Sequence, residues 1–151
     1  MYEKKYDIVV IGAGHAGIEA ALISDFLGVS VAIITMDINA IARMSCNPAI
    51  GGLAKGQMVR EIDVLGGVMA ETADVSGLQF KTLNKSKGRA VWSPRAQVDK
   101  RLYEKIIRKR VNNSSVSVIQ SEATAVSIKN NKVKGVLLRS GEKIKCLSLI
   151  V

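Results

Sequence analysis

The segment that most restricts what this chain can become is Tyr6-Asp7-Ile8-Val9-Val10-Ile11 running directly into Gly12-Ala13-Gly14-His15-Ala16-Gly17. A β-branched run that ends in glycine reads as a strand buried on both faces of a parallel sheet. The spacing of Ile18, Ala21, Leu22 and the Phe26-Leu27 pair predicts a helix over 18–27, closed by a left-handed Gly28, and Val29 to Ile34 forms a second buried strand. Strand, glycine turn, helix and parallel strand fit within about thirty residues, the size of one right-handed βαβ unit. In that setting each glycine has its own reason. Gly12 permits the tight turn, Gly14 lets backbone N–H groups approach a pyrophosphate, and Gly17 allows the helix to pack closely on the strand. The helix dipole favours the negative charge. Residues Gly12, Ala13, Gly14, His15, Ala16 and Gly17 are therefore the expected pyrophosphate loop.

In most folds of this kind an acidic residue roughly twenty positions past the motif binds the ribose hydroxyls. Thr35 stands there, with Asp37 two residues on, so Thr35 and main-chain groups rank ahead of Asp37 for that contact. Further along, Val116 to Ser121, Thr124 to Lys129 and Val133 to Arg139 read as strands of one small antiparallel meander, with Asn130-Asn131 and Ser140-Gly141 as turns. A nicotinamide-binding Rossmann domain would instead continue to alternate strands and helices. The ligand expected is thus FAD. The expected fold class is α/β, an FAD-binding Rossmann-like domain of the glutathione-reductase type, whose parallel sheet carries an antiparallel β-meander. By analogy with such folds, the backbone at Ala123 meets the adenine edge. Cys146 to Val151 is an apolar strand with no cap after it, so residues 1–151 are expected to be the truncated N-terminal part of the FAD-binding domain.

Between these regions, Ser45-Cys46-Asn47-Pro48-Ala49-Ile50-Gly51-Gly52 is a loop leading into a helix whose apolar stripe is Met58, Val59, Ile62 and Leu65, closed by Gly66-Gly67. Cys46 sits where a thiolate can be exposed and stabilised by N–H groups, the position of a nucleophile or flavin contact, or else is a small buried residue. From Ala73 to Pro94 there is little periodicity. A helix is expected to resume near Pro94, with Val98, Leu102, Ile106 and Ile107 inward. His15, the only histidine, fills the glycine turn or transfers protons, and no metal-ligand spacing accompanies it. Cys146 lies in a strand and is expected in the core.

The 22 basic residues outweigh 13 acidic ones, giving a net charge of +9 that either attracts polyanions such as RNA or serves solubility. Lys81 to Arg89, with Trp92 and Arg95, concentrates cations beside an aromatic face, suited to phosphate and base contact or simply to a solvated loop. Two distant cysteines and no CxxC argue against a disulfide framework, which implies a reducing compartment, the cytoplasm. No apolar run approaches the ~20 residues needed to span a bilayer.

Arg43-Met44-Ser45-Cys46-Asn47-Pro48-Ala49-Ile50-Gly51-Gly52, Lys55-Gly56, Asp63-Val64-Leu65-Gly66-Gly67 and Arg95-Ala96-Gln97, with the glycine turn, closely resemble the MnmG (GidA) family of tRNA-modifying flavoproteins. That resemblance implies an FAD-dependent enzyme that installs a carboxymethylaminomethyl or aminomethyl group at C5 of the wobble uridine. It would act as a homodimer with the GTPase MnmE, in a heterotetramer, using methylenetetrahydrofolate, NADH and glycine or ammonium. Carried onto this chain, it puts Asn47, Ile50, Gly51 and Gly52 near the flavin ring and makes Cys46 a candidate catalytic thiol. Uracil C5 becomes nucleophilic once a thiolate adds at C6, which is chemistry such a site can use. The family's full chain is several times longer, with an NADH-handling insertion and a helical C-terminal part, so the chain alone is expected to be inactive. Two rivals are a folate- and FAD-dependent tRNA uracil methyltransferase, against which Cys46-Asn47-Pro48 and Thr35 argue, and a non-catalytic RNA-binding module.

Overall fold

The computed structural model describes residues 5–45 and 47–151. By contacts the chain divides into two compact units, residues 5–42 with Arg110–Val151, and Arg43–Lys109. Cys46 lies outside the described residues.

The first unit begins with β1 (Lys5–Ile11), α1 (His15–Phe26) and β2 (Val31–Thr35). β1 and β2 pair in parallel, Ile8 opposite Val31 through Ile11 opposite Ile34. Every residue of β2 is buried, as its unbroken apolar sequence requires of an inner strand covered on both faces. The remaining strands are β6 (Ser117–Gln120), β7 (Ala123–Lys129), β8 (Lys132–Leu138) and β9 (Lys143–Ile150). They complete a six-stranded sheet in the order β6-β2-β1-β9-β8-β7. Its core joins Val9, Ala32, Ile34, Val136, Leu138, Ile144 and Cys146. Burying one such aliphatic side chain contributes roughly 1.5–3 kcal/mol.

The meander expected after residue 116 is real but shifted by one strand. β6 does not belong to it; it pairs in parallel with β2 along Ala32–Ser117 to Thr35–Gln120. A strand that follows a helix has the crossover length that parallel pairing needs, whereas only tightly turned strands can form a hairpin. The antiparallel strands are β7, β8 and β9, and β9 in turn pairs in parallel with β1. Asn130 and Asn131 both take left-handed φ, 52° and 56°, and turn β7 into β8 as expected.

In α1 the inward residues are Ile18, Ala21 and Ser24, while Phe26 and Leu27, expected inside, are exposed. Gly28 ends the helix with φ 78°.

The start of β1 is pinned by charge. Ser30 donates to Asp7 Oδ2 through both its hydroxyl, at 2.6 Å, and its amide, at 3.0 Å. These bonds hold the Asp7 carboxyl below its ordinary pKa. A carboxylate depressed in the fold adds stability that is complete above its unfolded value, about pH 4, and that disappears as pH falls through the lower folded value. Asp7→Asn is therefore expected to flatten the acid limb of a stability–pH curve measured by denaturant melts. An unchanged limb would mean that these bonds do not favour the ionised carboxyl.

The second unit contains β3 (Ala49–Gly51), α2 (Lys55–Val64), α3 (Met69–Val75), β4 (Gly77–Leu83) and β5 (Ser93–Val98), followed by α4 (Lys100–Asn112), whose last turn belongs to the first unit. β3, β5 and β4 form an antiparallel sheet in that order. Residues 93–98, expected as the start of a helix, are thus a strand. The helix begins after Asp99, whose Oδ1 accepts the Leu102 amide at 3.0 Å as an N-cap. Leu102 is exposed, and Tyr103, Ile107 and Val111, spaced four apart, are the buried residues of that face. In α2 only Val59 of the expected apolar stripe is buried; Met58 and Leu65 are exposed.

Candidate functional site

β1 lies between β2, its immediate successor along the chain, and β9, which joins from the far end of the sequence. At such a reversal of strand order the loops leaving the C-terminal strand ends diverge and leave a crevice for a ligand. The glycine turn is the loop at that point. Gly12 N–H donates to the Ile34 carbonyl at 2.8 Å, so the turn starts as an extension of the sheet. α1 then begins at His15, three residues earlier than its apolar spacing suggested, because the helix starts inside the glycine motif. A Cβ on Gly17 would overlap the Gly12 carbonyl oxygen, which makes glycine the residue that lets helix and turn touch. The Ala42 amide donates to the Ala13 carbonyl at 3.0 Å and braces the outer side.

Gly14 is the N-cap of α1, no side chain caps it, and its first turn carries no acidic residue. A helix leaves its first amides without intrahelical partners and concentrates positive potential there. Gly14 and Ala16 are exposed, and a Cβ on Gly14 would meet nothing within 4 Å. The turn thus offers space, donors and the right sign of potential for a diphosphate, so the residues present fit the FAD expected from the sequence.

Thr35 ends β2 and is buried, its hydroxyl donating to the Asp37 carbonyl at 3.3 Å. Asp37 Oδ1 accepts the Asn39 amide at 2.8 Å. Beside them Gln120, which the sequence reading did not single out, donates from Nε2 to the Met36 carbonyl at 3.3 Å. Ala123 opens β7, half-buried and paired with Leu138. Gly12 to Gly17, Thr35 and Ala123 therefore all belong to one unit. Cys146 is in that unit's core, where burial pushes its thiol pKa up and keeps it protonated and inert.

The residues assigned to the flavin ring belong to the second unit. Asn47 is exposed, and its carbonyl accepts the Ala49 amide at 2.7 Å. Ile50 is buried in β3. Gly51 has φ 103°, and a Cβ there would overlap the Pro94 carbonyl oxygen. Gly52 N–H donates to that same carbonyl at 2.9 Å, and Ser93 Oγ donates to the Gly52 carbonyl. Ser93 is fully buried, and Gln57 Nε2 reaches the Trp92 carbonyl at 3.3 Å. Ahead of the loop, the Met44 amide donates to Glu104 Oε1 at 3.1 Å, an acceptor held by Arg108. Ser93 and Glu104 are 41 and 60 residues from their partners, so no local pattern could have pointed to them. Lys55, in the first turn of α2, is half-buried, and desolvation lowers its pKa below that of an ordinary lysine.

A family model described as glucose inhibited division protein A matches residues 7–151. A protein of Endomicrobium trichonymphae named tRNA uridine 5-carboxymethylaminomethyl modification enzyme MnmG is 51% identical over 150 residues, covering 99% of this chain and 25% of that protein. One of the same name from Chlorobium phaeobacteroides is 52% identical over 147 residues, covering 97% and 24%. The structure of Aquifex aeolicus GidA superposes with a TM-score of 0.90 at 47% identity, covering 97% of this chain and 24% of that one. This chain spans about a quarter of the length of the relatives it matches.

Proposed function

This chain belongs to the MnmG (GidA) family and has its FAD-binding Rossmann-like α/β fold, and from that premise we propose that it works within an FAD-dependent enzyme that modifies C5 of the tRNA wobble uridine. The observation that carries the reading is the uncapped N-terminus of α1, open above Gly14 at the strand-order reversal. Gly12, Ala13, Gly14, His15, Ala16 and Gly17 hold the cofactor's pyrophosphate. Thr35, neighbouring main-chain groups and the Ala123 backbone take the adenosine end, and Asn47, Ile50, Gly51 and Gly52 border the flavin ring. FAD, when bound, supplies hydride and one-carbon relay chemistry.

The protein's own part is to bind, orient and provide a thiol. Cys46 is the proposed nucleophile for uracil C6, the addition that makes C5 reactive. With Cys146 protonated in the core, Cys46 is the cysteine left for that role within these 151 residues. The product is a carboxymethylaminomethyl or aminomethyl group, made from methylenetetrahydrofolate, NADH and glycine or ammonium. The partner is the GTPase MnmE, bound to a homodimer in the cytoplasm. Among the described residues no helix is long and apolar enough to cross a membrane.

The direct test is nucleoside analysis of tRNA from cells lacking the gene. Loss of the modified wobble uridine, restored by the wild-type gene but not by Cys46→Ser, is expected. Unchanged wobble uridines would overturn the proposal.

A further inference from the structure

Met44 and Pro48 stand two residues before and two residues after Cys46. Both are tied down within the second unit, by different means. The Pro48 carbonyl accepts the Val98 amide at 2.8 Å, a main-chain bond at the end of β5. The Met44 amide donates instead to a side chain, Glu104 Oε1 on α4, at 3.1 Å. Met44 is 3% exposed, so its amide needs an acceptor from the protein. Ser45 and Asn47, by contrast, are exposed. An exposed stretch is thus anchored at both ends, and only the anchor at Met44 depends on the identity of a side chain.

Glu104 is built to hold that amide in one place. It follows Tyr103, which with Ile107 is fully buried and fixes that face of α4. The Glu104 side chain is itself only 14% exposed, and its second oxygen, Oε2, lies 3.5 Å from Arg108 Nη2 one helical turn on. Glutamate four residues ahead of arginine is the favourable order for such a pair along a helix. A carboxylate with one oxygen on a cation and the other on an amide has little freedom to turn. An i,i+4 pair of this kind adds little to stability, so its main consequence is to orient the carboxylate.

We propose that Glu104 is a positioning residue: oriented by Arg108, it clamps the N-terminal end of the segment that carries the thiol, so that the nucleophile reaches uracil C6 from a backbone already in place. The inference rests on the reading of Cys46 as that nucleophile. A reacting group on an anchored backbone has less freedom to lose in the transition state, and a misplacement of about 1 Å can cost about a hundred-fold in rate. Removing the acceptor acts through the backbone at residue 44, so it falls on turnover and leaves tRNA affinity alone. The test compares wild type, Glu104→Ala, Glu104→Gln and Cys46→Ser in the full-length, flavin-loaded protein with its GTPase partner. Glu104→Ala is expected to lower kcat for wobble-uridine modification about ten-fold or more, with KM for tRNA and flavin content unchanged. It is also expected to speed deuterium exchange in the peptide that contains Met44. Glu104→Gln keeps an acceptor oxygen at the same reach, and is expected to retain most of the turnover and of the exchange protection. A wild-type kcat in Glu104→Ala, an equal loss in Glu104→Gln, or a loss that appears in KM or flavin content overturns the proposal. Inactive Cys46→Ser beside normal turnover in Glu104→Ala sinks only the clamp, whereas normal turnover in Cys46→Ser sinks the thiol reading and the clamp with it.

Discussion

Replacing Gly14 with aspartate is expected to strip the protein of flavin while making its fold slightly more stable. Gly14 is the N-cap of α1 with extended backbone, φ −74° and ψ −179°, a conformation any residue adopts, and open space surrounds its missing Cβ. An aspartate there can cap the helix and complement its dipole, a gain of about 0.5–1 kcal/mol. The same carboxylate occupies the diphosphate's place. Two unit charges about 4 Å apart repel by about 4 kcal/mol at the effective dielectric of a protein surface, which is about a thousand-fold in affinity. Visible flavin absorbance of the purified variant and its thermal midpoint are the two readouts. Opposite signs are the signature of an anion site; a variant that keeps its flavin denies that the turn holds the diphosphate.

Gly17→Ala should fail differently, losing both stability and flavin. The added methyl overlaps the Gly12 carbonyl oxygen and presses to 3.3 Å from Val10 Cγ1, and the clash is with main chain that is itself bonded into the sheet. No rotamer can relieve it, so the cost is at the upper end of overpacking, about 3 kcal/mol or more. Helix and strand must separate, which deforms the turn that the cofactor needs. Denaturant melts that matched the wild type would show that α1 does not pack on β1 as described.

The parts of the fold that could be read from sequence are those in which one local signal meets one structural demand. β2 is buried throughout, so its continuous apolar run is unmistakable, and the Asn130-Asn131 turn demands left-handed φ that asparagine tolerates. β4 failed for the opposite reason: Leu78 to Thr82 are all exposed, so no alternation is written into them. β5 reads as a helix start because proline is favoured in a helix's first turn and is least expected in a middle strand, which β5 is, and the cap that decides the matter, Asp99, lies five residues further on. β6 was misplaced because its sequence does not say whether its partner precedes or follows it; the partner, β2, lies about eighty residues back. At the site, the glycine turn was legible because its geometry excludes other residues. The bracing of Gly52 by Pro94 and Ser93, and of Met44 by Glu104, was not, since those contacts exist only once distant segments are brought together.

The most direct measurement is a titration of the isotopically labelled 16.2 kDa chain with FAD, followed by the amide resonances of the β1–α1 turn. The amides of Gly14, His15, Ala16 and Gly17 should move furthest, and adenosine diphosphate, which carries the same pyrophosphate, should move them the same way. Resonances of that turn that stay still while others shift would mean that the cofactor is held elsewhere.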